Sequence, residues 1–187
     1  MILGSLTYGG YYFGKKATST VKPEKTTVNT FVETSISPSP VTIVAGLPKS
    51  AGLSFDQYSI MAPNDWISKK EAQTAMDERL ILEKDGYSIS IFQAATGGAL
   101  CLYPGDAEFE GPVSKFEIFT DLTTKDNKTL RRGGNKNDTT FTICQKSADG
   151  SYQQPTNYGH ISVKLPANYT PEILTEIDSI ISSLKKI

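Results

Sequence analysis

A chain of 187 residues with 38% hydrophobic residues has the size and apolar content of one folded domain with a tail, which excludes a multidomain enzyme and a wholly disordered chain. A formal charge of −1 provides no bulk attraction for nucleic acid or an anionic membrane, so no nucleic-acid partner is expected. One histidine and two cysteines are too few for a closed zinc site or for most hydrolytic constellations, so no metal, cofactor or catalytic residue is expected.

Charge is unevenly placed. The first 50 residues hold five lysines against Glu24 and Glu33, a net of +3, and the remainder is net −4. Residues 1–16 begin with a nearly uncharged run containing Ile2, Leu3, Leu6, Tyr8, Tyr11, Tyr12 and Phe13, closed by Lys15 and Lys16. The run is too short and too glycine-rich to span a bilayer, which takes about 20 apolar residues. Its interfacial aromatics and closing lysines match the remnant of a membrane anchor. Gly9, Gly14 and Lys15 have the spacing of a phosphate loop, but Lys16 stands where Ser or Thr should hold magnesium, so nucleotide binding is not expected. Residues 17–50, rich in Thr, Ser and Pro, read as a linker, because such a stretch cannot bury enough surface to offset its ordering entropy.

The folded domain is expected over 51–187. Alternation predicts a strand over 57–62, ending at Pro63, Asn64, Asp65 and Trp66. Ser68 and Glu71 have the spacing of a capping box and predict a short helix over 68–76. Residues 79–83 and 87–92 alternate on either side of Asp85 and Gly86, which predicts a hairpin. Further strands are expected over 99–103, 113–119, 139–146 and 160–165, and 121–138 reads as the least ordered stretch. The final element is an amphipathic helix capped at Thr170, with Pro171 at its first position and a stripe from Ile173 to Ile187. The expected class is α+β: a largely antiparallel sheet packed by a C-terminal helix and one short early helix.

The strand running into Pro63-Asn64-Asp65-Trp66, the polar helix after it, the hairpin over 79–93 and the late strand entering the helix at 171–186 together resemble the PsbP-like family. That family includes the photosystem II extrinsic subunit and Mog-type Ran-binding factors. The resemblance covers 53–187 and implies an α/β/α sandwich. It implies no functional residues, because members serve different ends.

Cys101 and Cys144 lie in separate predicted strands, each flanked by apolar residues, and are candidates for a structural disulfide in an exported chain; two buried thiols are the alternative. Lys125, Lys128, Arg131, Arg132 and Lys136 bring five positive charges to one glycine-containing loop, the best local candidate for binding an anionic ligand. His160 shares a strand face with Ser162, without a recognisable orienting carboxylate or nucleophile elbow. Asp106, Glu108 and Glu110 alternate and read as a solvated acidic edge, with calcium binding or an acid and base pair as the sharper options. Trp66, Tyr58, Tyr87, Phe92 and Tyr103 are candidates for a sugar or peptide groove, though core packing accounts for most of them. Asn127, Asn137 and Asn168 each begin an Asn-x-Thr sequon.

These features lead to the expectation of a non-catalytic bacterial domain outside the cytoplasm, anchored to the membrane through its N-terminus, that binds a protein or an anionic cell-envelope component. A soluble assembly or transport factor of PsbP-like type, or a carboxylate-dependent enzyme acting on glycans, are the alternatives.

Overall fold

The computed structural model describes residues 39–187; the expected membrane-anchor remnant at 1–16 and the linker up to residue 38 lie outside the described residues. In chain order the strands are β1 (Val41–Ala45), β2 (Tyr58–Ala62), β3 (Ile67–Glu71), β4 (Glu78–Lys84), β5 (Tyr87–Gln93), β6 (Ala99–Leu102) and β7 (Val113–Lys115). They continue with β8 (Ile118–Thr123), β9 (Thr129–Gly134), β10 (Thr140–Lys146), β11 (Tyr152–Gln154) and β12 (His160–Lys164). Helix α1 (Pro171–Ser182) and the short β13 (Lys185–Lys186) complete the chain. The stretch read as a linker up to residue 50 thus contains β1, whose Ala45 is buried.

Over the described residues the protein is mostly β, with one α-helix, which corrects the expected α+β class and the α/β/α sandwich. The missing element is the early helix over 68–76. Ser68 and Glu71 have capping spacing, but the segment lacks an apolar stripe to bury, and a short helix without one is marginal. Its first part instead pairs with β4 as edge strand β3, from Ile67↔Glu83 to Glu71↔Arg79. Its second part is a turn held by the Asp77 carboxylate, which accepts the Gln73 amide at 3.0 Å and the Thr74 amide at 2.6 Å.

A second correction concerns 121–138, which forms the β8–β9 hairpin. Leu122 and Leu130 face each other across it and are both buried, which, with the facing Asp121 and Arg131, anchors its register. Asn127, at φ 62°, takes the left-handed position in its turn. The single strand expected over 113–119 breaks at Phe116 and Glu117 into β7 and β8. The last helix stops at Ser182, short of the expected 186, because Lys185 and Lys186 pair with Ser59 and Tyr58 of β2.

The predicted hairpin is present as β4 and β5, paired from Glu78↔Gln93 to Lys84↔Tyr87. It extends through β12 to β10 in an antiparallel run. The inward residues of this run, among them Leu80, Leu82, Ile89, Ile91, Ile161, Val163, Phe141 and Ile143, are buried. Over them lie Tyr58, Ile60 and Ala62 of β2, from the small sheet β1-β2-β13, and Ile177, Ile180 and Ile181 of α1. At about 2 kcal/mol per buried side chain this cluster supplies most of the favourable free energy of folding. Helix α1 is fixed at one flank, where Trp66 Nε1 donates to Glu176 Oε1 at 2.6 Å and Lys84 Nζ lies 3.0 Å from that oxygen and 2.8 Å from Asp65 Oδ2.

At the other end, β10 leaves β12 and continues beside β11, which pairs with β6, which pairs in parallel with β7. Beyond β7 the Phe116 amide donates to the Leu102 carbonyl and the Glu117 amide to the Gly134 carbonyl; β8 then pairs with β9, and β9 with β10. The strands β6 to β11 therefore close a ring around a second apolar cluster of Cys101, Tyr103, Cys144 and Tyr152, with Phe116 against it. The Cys101–Cys144 disulfide joins β6 and β10, which flank β11. Two strand spacings in a flat sheet would separate these residues by roughly 9.6 Å. Their Cα atoms are 6.5 Å apart, so the sheet curls here and the bridge holds the curl.

Candidate binding surface on the strand ring

The five basic residues of 125–136 do not come together. Arg131 and Arg132 are neighbours on β9 and so face opposite sides of it. Arg132, 7% exposed, turns toward α1: its Nε and Nη2 donate to the two oxygens of Asp178 at 2.7 and 3.0 Å, and its guanidinium lies over Phe141 at 5.0 Å. Lys125 is exposed, with its Nζ 2.8 Å from Met61 Sδ, and lines an open groove of about 700 Å³ beside α1. Lys128 is half-buried in the β8–β9 turn, where its amide donates to Thr124 Oγ1. Lys136 is exposed in the next turn, and its amide donates to Glu117. One loop with five free cations is therefore replaced by two arginines committed to carboxylates and three dispersed lysines.

Arg131 is the member of the set that faces the ring. Its Nε and Nη2 donate to Asp121 Oδ1 and Oδ2 at 2.6 and 2.9 Å, a bidentate pair. Its guanidinium carbon lies 4.0 Å from the ring centroids of Phe119 and Tyr152 and 4.6 Å from that of Tyr103. Three π faces and one carboxylate thus hold a single cation, which removes most of its rotamer freedom. The hydrogen bonds from Arg131 hold the Asp121 carboxyl below the usual carboxylate range, and the same pairing raises the Arg131 guanidinium further. Burial pushes the hydroxyls of Tyr103 and Tyr152 up, so both stay protonated. Tyr152 Oη lies 3.3 Å from Asp121 Oδ1 and donates to it, tying β11 into the cluster.

Beside this cluster lies a depression of about 450 Å³. Arg131, Asp121 and Tyr152 lie along it, with Lys146 and, from the loop between β6 and β7, Glu108 and Phe109. Phe109 is 50% exposed. A depression lined by an exposed aromatic ring and an ordered Arg and carboxylate pair has the composition of a protein-recognition surface, where aromatic residues and Arg are enriched.

The remaining candidates are dispersed. His160 Nε2 lies 2.7 Å from Thr96 Oγ1, and burial lowers the imidazole's pKa; among the described residues no carboxylate hydrogen-bonds it. Ser162 shares its outward strand face, as the alternation indicates, but is exposed. Asp106 accepts the Tyr103 amide at 2.8 Å, and Glu108 pairs with Lys115 at 2.8 Å. Among the described residues no three His, Cys, Asp or Glu side chains are placed to hold a metal ion. Trp66 and Tyr58 belong to the main core and Tyr103 to the ring, while Tyr87 and Phe92 are half-buried, so the five aromatics line no common groove. The sequon residues Asn127, Asn137 and Asn168 are all exposed.

Sequence reasoning missed Phe119, Asp121, Tyr152 and Phe109. The signal for the first two was the alternation of Phe119 and Asp121, which puts both on the side of β8 that meets Arg131. The polar composition of 121–138 hides it.

No protein family, curated protein or solved structure matches this chain. The disulfide is compatible with a location outside the cytoplasm, and among the described residues no helix is long and apolar enough to cross a membrane.

Proposed function

We propose that the chain is a non-catalytic domain outside the cytoplasm, tethered by its N-terminal segment, that binds a partner protein at the depression beside Arg131. The observation that carries this reading is the immobilised Arg131 and Asp121 pair among Phe119, Tyr152 and Tyr103, with exposed Phe109 lining the same depression. A rigid cation with a solvent-facing aromatic neighbour needs little further ordering on binding, which is the main cost that limits affinity. Asp121 and Asp178 neutralise Arg131 and Arg132, and the depression itself sets Lys146 beside the carboxylates of Asp106, Glu108 and Asp121, a mixed-charge lining that favours a protein partner over an envelope polyanion. The disulfide supports the compartment.

The test is a photo-crosslinking residue placed at Phe109 in the full chain, expressed in its native host, with the same residue at exposed Met76 as control. A discrete adduct from position 109 that is lost with Arg131→Ala, and no adduct from position 76, is expected. Equal yields from both positions would remove the reading.

A further inference from the structure

Strand β1 lies at the end of the small sheet, paired on one side with β2 in the register from Val41↔Ala62 to Ala45↔Tyr58. The direction of its backbone groups follows from Met61. The Met61 amide donates to Ser183 Oγ at 2.7 Å, and the Met61 carbonyl accepts from the same hydroxyl at 3.2 Å, so both point to the β13 side of β2. Ser59 turns the same way, since it pairs with Lys185, and so does Gln57, whose carbonyl accepts the Ile187 amide. Antiparallel pairs alternate between bonded and non-bonded positions, so Tyr58, Ile60 and Ala62 bond to Ala45, Ile43 and Val41. Thr42 and Val44, opposite Met61 and Ser59, therefore direct their amides and carbonyls away from β2. Among the described residues β2 is the one strand paired with β1, and no turn, loop or side-chain hydrogen bond reaches either backbone.

This edge differs from the others. The sequence of β1, Val-Thr-Ile-Val-Ala, carries no charge and no proline, and Val41 and Val44 are 50% and 51% exposed. Edge strand β3 carries Lys69, Lys70 and Glu71, and β13 is two lysines. Charge and brevity are the ordinary means by which edges resist pairing, and β1 has no charge.

We propose that β1 pairs antiparallel with β1 of a second copy of this chain, about a two-fold axis at Ile43. The register is self-complementary. Thr42 faces Val44 of the second copy and the reverse, which makes two bonded pairs and four hydrogen bonds from the groups that point outward. Ile43 faces Ile43 of the second copy at a non-bonded position, where side chains approach most closely. Val41 faces Ala45 of the second copy. No like charges meet anywhere along the pair, which is the condition for a strand to pair with itself. Both ends of the ladder are closed: Pro40 has no amide hydrogen, and the Gly46 amide already donates to Glu78 Oε1 at 2.5 Å. The contact is isologous and uses up the edge, so it closes at two copies. It is independent of the ligand surface on the strand ring.

The test is sedimentation of the full chain over a wide concentration range, with amide hydrogen exchange read at Thr42 and Val44. A monomer–dimer equilibrium is expected, with both amides slowing in exchange as the dimer fills. Val44→Pro removes an amide that β2 does not use, so the variant is expected to keep its melting temperature and to dimerise about 30-fold more weakly, two hydrogen bonds being lost per dimer. Val44→Lys, which leaves the backbone intact, is expected to weaken the dimer as well. A monomer at every concentration overturns the proposal. So does a dimer that both variants leave unchanged, or one in which Thr42 and Val44 exchange as fast as in the monomer.

Discussion

Replacing Cys101 and Cys144 together with alanine removes the one covalent constraint on the strand ring. The two residues are 43 positions apart, and the chain-entropy relation assigns a loop of that length about 4 kcal/mol of stability, through restriction of the unfolded state. Both side chains are almost fully buried, so deleting the two sulfurs adds roughly 1 kcal/mol for lost packing. The total, about 5 kcal/mol, is a large part of the stability of an ordinary domain. Urea unfolding followed by Trp66 fluorescence and by far-ultraviolet circular dichroism measures it. At about 2 kcal/mol per molar the midpoint should fall by roughly 2.5 M. Trp66 belongs to the main core, whereas the bridge lies in the ring. A ring that loosens first would therefore separate the two probes. Coincident transitions with a midpoint within about 0.5 M of the parent would show instead that the ring holds its curl without the bridge.

Other expectations follow from individual contacts. Gly133→Ala places a Cβ 2.7 Å from the Phe116 ring and 3.1 Å from Tyr103, and is expected to cost about 1–3 kcal/mol in thermal or chemical unfolding. Arg132→Ala leaves Asp178 unpaired against the helix and is expected to destabilise by about 3 kcal/mol, without affecting crosslinking from position 109 in whatever fraction remains folded. His160, lowered by burial, binds its proton less readily in the folded chain than in the unfolded one. Stability should be full above an imidazole's ordinary pKa of about 6.5 and fall as pH drops through the lower folded value; His160→Gln should flatten that slope in melting curves. Burial alone would raise the Asp126 carboxyl, but hydrogen bonds from Thr124 and Tyr158, at 2.6 and 2.5 Å, more than offset it and hold it below the usual range. Its contribution should be present at neutral pH and lost only as pH falls through that lowered value, and Asp126→Asn should remove this acid limb.

Local pattern was legible wherever alternation coincided with burial on one face. The β4–β5 hairpin and β12 could be read for that reason: Leu80, Leu82, Ile89, Ile91, Ile161 and Val163 all face the core. The start of α1 was legible from Pro171 and the stripe from Ile173, but its end was not. Nothing local marks Lys185 and Lys186 as partners of β2, since that pairing depends on a strand more than 120 residues away. The helix expected over 68–76 failed because capping spacing is a local preference, and the open edge of β4 offered the backbone a better set of partners. The disulfide was legible as a pair of apolar-flanked cysteines, although the ring it staples was not. Closure through Phe116 and Glu117 depends on two backbone hydrogen bonds that leave no trace in residue type. Proximity in sequence groups the five basic residues, but strand alternation separates Arg131 from Arg132. Asp121 and Asp178 then took one each.

The thiol state of the chain as its own host makes it bears most directly on the claim of a disulfide-stapled domain outside the cytoplasm. Cells would be quenched in acid with an alkylating reagent, and the intact chain weighed after unfolding without reductant. The expected chain is lighter by two hydrogen atoms than the reduced form and carries no alkyl group on Cys101 or Cys144. A chain alkylated at both cysteines would contradict it, placing the protein in a reducing compartment and leaving the strand ring to stand without its bridge.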